Sequence, residues 1–211
     1  MPFLIFCLIL FGTSSSALAA PQALALNASL TLVFDLPAGG WVFARNPPDF
    51  LLRAVVTDLT RELAARGETI EPERVGALAR QRLEANEGFV YQPGSESVLL
   101  IDFSPLRAGE KVPDRESVER SAEYAAASLA AEEGVREVVT SRRPAAVPGL
   151  TFAWRVESSY RIDGVARRFL GIVGFRAPFW VYLYYTGKGE DEGGPGAMNA
   201  LLEGARVVPR E

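Results

Sequence analysis

FLGIVGFRAPFWVYLYYTG, residues 169–187, is apolar on both of its alternating faces. Arg176 and Pro178 interrupt it, and β-branched and aromatic residues dominate, so it reads as two strands and a turn rather than a membrane span. A strand that is apolar on both faces needs cover on both. A central pair of strands is expected, Val165 to Phe175 and Phe179 to Tyr185, with other layers above and below.

Upstream, Thr151 to Ile162 has the clearest period-two pattern. Phe152, Trp154, Val156, Tyr160 and Ile162 share one side, and Arg155, Glu157, Ser159 and Arg161 share the other. Asp163-Gly164 is a two-residue hairpin signal that returns the chain into the apolar stretch. Further strands are expected at Ser29–Asp35, Trp41–Arg45, Phe89–Tyr91, Val98–Phe103 and Val135–Thr140. Three segments carry helical periodicity. One follows Asn46-Pro-Pro-Asp49, with Leu52, Val55, Val56, Leu59 and Leu63 on a stripe. A second opens at Glu71-Pro72, with Val75, Leu78, Ala79 and Leu83. The third follows Asp114, a plausible N-cap, with Val118, Ala122, Ala125 and Leu129. A short helix is expected over Ala197–Leu202, with Val207-Val208 as a further edge. Hairpins joined to amphipathic helices give an α/β (α+β) fold: a three-layer α/β/α sandwich on a central, mainly antiparallel sheet.

MPFLIFCLILFGTSSSALAA, residues 1–20, has an apolar run too short to span a bilayer, then polar residues and a small-x-small Ala17-Leu18-Ala19 site. It reads as a signal peptide over residues 1–19, leaving one globular domain over 20–211. Cys7 leaves with that segment, so the mature chain has no cysteine for a disulfide, a thiol nucleophile or a thiolate metal site. The expected destination is the periplasm or the exterior of a bacterial envelope, without an integral membrane span after cleavage.

The sequence contains no histidine. Imidazole acid–base chemistry, the Ser-His-Asp triad and histidine zinc sites are therefore unavailable. No cofactor or metal is expected, and whether the chain is an enzyme stays open, with a non-catalytic role favoured. The net charge of −4 argues against nucleic acid as a partner, since its binders carry a basic field. Arginine outnumbers lysine 20 to 2, and Arg142-Arg143 and Arg167-Arg168 together could make an anion patch. Gly187-Lys188-Gly189 lacks phosphate-loop spacing and is followed by Glu190-Asp191-Glu192, which repel phosphate.

Four residues stand out as a speculative ligand site. Trp180, Tyr182 and Tyr184 share one strand face, where rings combine apolar area with a polar handle. Asp102, within VLLIDFS, is a carboxylate on an otherwise apolar strand. Asp35 and Glu157 read as surface charge. Period-two aromatics also serve as ordinary core beneath a helix, so both readings remain open.

The order of elements resembles the fold shared by the photosystem II extrinsic protein PsbP and a Ran-binding nuclear import factor. The resemblance rests on Leu32-Val-Phe-Asp-Leu-Pro-Ala-Gly-Gly-Trp41, the helix Asp114 to Ala131 after a polar loop, and the meander Leu150 to Thr186. A short helix and Leu202-Glu-Gly-Ala-Arg-Val207 complete it. The paired helices between Pro48 and Asn86 depart from the family pattern, and no functional residue carries over. The resemblance implies a non-catalytic accessory or binding module; with the signal peptide and the missing catalytic side chains, the leading expectation is an accessory protein of the envelope that binds a protein or envelope component. The alternatives are a carrier of a small apolar or aromatic ligand and a carboxylate-based enzyme.

Overall fold

The computed structural model describes residues 21–68, 70–189 and 194–210. The expected signal peptide over 1–19 lies outside the described residues. Ten strands and four helices follow in order: β1 (Pro21–Ala25), β2 (Leu30–Asp35), β3 (Val42–Ala44), α1 (Asp49–Ala65), α2 (Pro72–Leu83), β4 (Gly88–Tyr91) and β5 (Val98–Pro105). Then come α3 (Arg115–Ala130), β6 (Val135–Pro144), β7 (Phe152–Ile162), β8 (Val165–Arg176), β9 (Phe179–Lys188), α4 (Gly194–Gly204) and β10 (Arg206–Pro209).

Seven strands form the central sheet in the order β3-β4-β5-β9-β8-β7-β6, and β1-β2-β10 form a separate small sheet. Every pairing is antiparallel. The Asp163-Gly164 turn joins Ile162 directly to its partner Val165, and both turn residues have positive φ, 50° and 77°. That is the backbone an I′ hairpin requires. Asp114 caps α3 as its position suggests, its Oδ1 accepting the Ser117 N–H at 2.9 Å.

One face of the central sheet carries Leu99, Ile101, Leu170, Ile172, Val181 and Leu183. These pack on Leu24, Leu32 and Phe34 of the small sheet and on Met198, Leu201 and Leu202 of α4. Each such side chain, fully buried, stabilises the fold by about 1.5–3 kcal/mol. This outer layer is therefore a helix beside a three-stranded sheet. β1 was not legible in the sequence, because PQALA has neither alternation nor β-branched residues. It becomes a strand by pairing with β2, from Pro21 opposite Asp35 to Ala25 opposite Thr31. Asn27 tightens the intervening turn by accepting the Ser29 and Leu30 N–H groups at 2.7 and 2.8 Å.

The other face bears α1 to α3. The stretch that opened the reading divides here. In β8, residues Phe169 through Phe175 are all buried, so that strand is covered on both faces. In β9 only Val181, Leu183 and Tyr185 are fully buried in the run from 180 to 185, while Trp180, Tyr182 and Tyr184 are half-buried. The expectation of two doubly covered strands holds for one of them.

Candidate functional site

On the helix-bearing face the strand registers form a grid. Asp102 lies opposite Tyr182, which lies opposite Val173 and then Trp154. The next row is Leu100, Tyr184, Gly171 and Val156, and the one after it Val98, Thr186, Phe169 and Ser158. Two helix packings stand on this grid. α3 buries Val118, Ala122 and Leu129 against Val156, Tyr160, Phe169 and Val173 of β7 and β8. α1 and α2 bring Phe50, Leu51, Leu52, Val55 and Leu83 over Phe89, Val98 and Leu100 of β4 and β5, with Phe50 set edge-on to Tyr91 at 6.2 Å.

β9 falls between the two packings. A groove of about 1250 Å³ runs there, walled by Ala54 and Val55 of α1 and by Ala125 and Leu129 of α3, and floored by Val98, Phe169, Tyr184 and Thr186. No residue of α1 is fully buried, although Phe50, Leu51, Leu52, Val55, Val56, Leu59 and Leu63 are all apolar. An amphipathic helix that finishes folding with its stripe half-covered leaves apolar area open along its inner side.

The structure brings Asp102, Trp180, Tyr182 and Tyr184 together on one strip. The Trp180 and Tyr182 rings stack at 6.0 Å and 8°, and the Tyr182 and Tyr184 rings follow at 5.8 Å. Only Tyr184 of the four lines the large groove. Tyr182 hydrogen-bonds Ser121 of α3, so its ring is held beneath that helix. Burial, and then the neighbouring Tyr182 and Asp102, push the Tyr184 phenol well above its ordinary range, so it stays protonated.

Asp102 makes no ion pair with a described residue. Burial raises its carboxyl above the usual range, and the Glu87 carboxylate adds to the effect. A raised carboxyl in the folded state penalises folding at every pH above its titration. The penalty fades as pH falls through the folded value. Asp102→Asn is therefore expected to raise Tm at pH 7 by roughly 1–3 °C and to lose that advantage near pH 3. Paired thermal melts at the two pH values check it; an equal or lower Tm at pH 7 would contradict it.

Three of the four arginines in the two pairs are taken up by carboxylates. Arg142 bonds Glu123 at 2.5 Å, Arg143 approaches Glu157 at 3.6 Å, and Arg167 bonds Glu96 at 3.0 Å. The Arg167 hydrogen bond and the Lys188 charge hold the Glu96 carboxyl below its usual range. Glu157 is more than surface charge, since it accepts from Arg155 Nε at 2.6 Å. Arg155 is only 3% exposed, and its guanidinium also donates to Asn199 of α4. Arg155 and Glu157 lie on the face of the sheet that carries α4. Among the described residues no three aspartate, glutamate or cysteine side chains gather as a cation site, and no helix is long and apolar enough to cross a membrane.

No family model matches the chain, and no curated protein matches it in sequence. Solved structures share its architecture, LpqN and a cyanobacterial PsbP among them. LpqN of Mycobacterium tuberculosis, described as involved in cell envelope biogenesis, superposes with a TM-score of 0.54 at 15% identity over 86% of each chain. Cyanobacterial PsbP from Synechocystis sp. PCC 6803 gives 0.50 at 8% identity, over 94% of this chain and 99% of that one. These likenesses show a PsbP-like fold.

Proposed function

We propose that this chain is an exported, non-catalytic binding protein of the cell envelope that carries a small apolar ligand between α1 and α3. The open groove over β9 is the observation that carries the reading. Its width favours a slender occupant. α3 centres on β7 and α1 between β4 and β5, a separation of about 17 Å at the usual strand spacing. Two helices side by side use about 10 Å of that, leaving roughly 7 Å. An alkyl chain or a single ring fits such a slot, whereas a third helix does not. The missing histidine and the phenol held protonated support binding over turnover. The envelope setting draws support from the signal-like residues 1–19 and from the description of LpqN.

A second reading, an accessory protein that docks a protein partner, is favoured by Tyr124, which stands 69% exposed on the α3 rim of the groove. Native mass spectrometry of the mature protein, isolated gently from its host envelope, separates the two. A retained small molecule is expected, and it should be absent from Ala54→Trp, which fills the groove from an exposed position without touching the core. A retained protein, or a small molecule that persists in the filled variant, would overturn the carrier reading.

A further inference from the structure

We infer that the ligand of this groove is an amphiphile with an uncharged, oxygen-bearing head, an inference that rests on the carrier reading above. The polar end of the groove lies where β7, β8 and β9 meet the C-terminal turn of α3. Tyr160 lies opposite Arg167 there, and Arg167 lies opposite Lys188. An anionic head would need an available cation. Arg167 and Lys188 are both held by Glu96, at 3.0 and 3.5 Å, and Arg82 is held by Glu62 at 3.6 Å. Arg53 alone among the lining arginines makes no ion pair with a described residue, but it is solvent-exposed on the first turns of α1, where water screens a pairing strongly.

Glu132 then opposes an anion outright. Its carboxylate lines the same end and makes no ion pair with a described residue; Asp58 adds to its negative field and Arg82 offsets part of it. A cationic head gains little either, because Arg82 stands close enough to Glu132 to offset its charge and Asp58 is paired with Arg61 at 3.4 Å. With Glu132 offset by Arg82, Asp58 by Arg61 and Arg167 by Glu96, the lining favours neither sign of head group.

The groups that remain are hydroxyls. Tyr160, Tyr184 and Thr186 line the groove and donate to no described residue. Both phenols are raised by burial and keep their protons. A few convergent donors above an apolar floor orient a ligand through carbonyl, ester or alcohol oxygens. A neutral head satisfies them without stripping water from a charge.

Three probes with the same dodecyl-length tail test the inference: monolaurin, laurate and dodecyltrimethylammonium, each below its micelle concentration at pH 7. Isothermal titration is expected to show monolaurin binding at least about tenfold tighter than either charged probe. Tyr160→Phe with Tyr184→Phe should weaken monolaurin roughly tenfold at unchanged Tm, and Glu132→Gln should strengthen laurate while leaving monolaurin alone. A charged probe that binds as tightly as monolaurin overturns the neutral head and leaves the carrier reading standing. Unchanged monolaurin affinity in the double tyrosine variant also overturns it. If none of the three binds, the carrier reading fails, and the inference with it.

Discussion

Gly149→Ala is expected to destabilise the protein by about 3–5 kcal/mol, a Tm loss on the order of 10 °C or a failure to accumulate folded protein. Gly149 has φ +86°, where an L side chain costs about 1–2 kcal/mol by itself. The larger part comes from what its Cβ would meet, the carbonyl carbon and oxygen of Val207, far inside van der Waals contact. Backbone atoms cannot rotate away as a side-chain end can. The clash would push β10 from the β6–β7 loop, where Val207 N–H donates to the Pro148 carbonyl at 2.8 Å. It would also lift Val207, 5% exposed, out of the core. Gly94→Ala is the matched control: its φ is +85°, and a Cβ there has nothing within 4 Å. Urea unfolding of the two variants separates conformational strain from collision. Equal losses would mean that the approach of β10 to Gly149 is unimportant.

Arg155→Ala should cost about 2–4 kcal/mol. Removing one partner of a fully buried ion pair costs roughly 3–5 kcal/mol. Here the discount reflects Glu157, whose side chain is 30% exposed and can rehydrate, and Glu203, which is 69% exposed at 4.0 Å. Truncation would strip the guanidinium from Asn199 and leave a void beneath α4. Arg155→Met keeps most of the stem's packing and should lose about half as much. The location of the damage is the sharper test: hydrogen exchange in α4 should accelerate in Arg155→Ala, while α3, on the opposite face, keeps its protection. Uniform acceleration across both helices would mean that Arg155 does not specifically fasten α4.

Local chemistry made much of the fold readable. Asp163-Gly164 specifies a turn through its backbone preferences, Asp114 announces a helix start, and the period-two pattern of β7 fixes which residues share a face. The meander follows from these because its contacts are between chain neighbours. Placement of layers is different. The apolar stripe of α1 says that the helix has an inner side, but not how far that side stands from the sheet. The groove exists because α1 and α3 sit on non-adjacent strands. The aromatic strip of β9 was therefore visible as a period-two run, while its division into a Trp180–Tyr182 part under α3 and a Tyr184 part facing the groove was not. Arg155 misled for a related reason. A polar residue on an alternating strand signals water until some distant element covers it, and α4 arrives 39 residues after Arg155, starting at Gly194.

The small sheet places β2 between the two ends of the described chain, with β1 on one edge and β10 on the other. Val33 pairs with Arg206 across nearly the whole sequence. A chain synthesised from its N-terminus presents β2 early and must wait for β10 until every other described strand has emerged. Leu32 and Phe34 stay without their final cover during that interval. Such long-range closure slows folding and postpones cooperativity until β10 is present. The fold thus has a built-in delay: the small sheet stays open until β10 emerges.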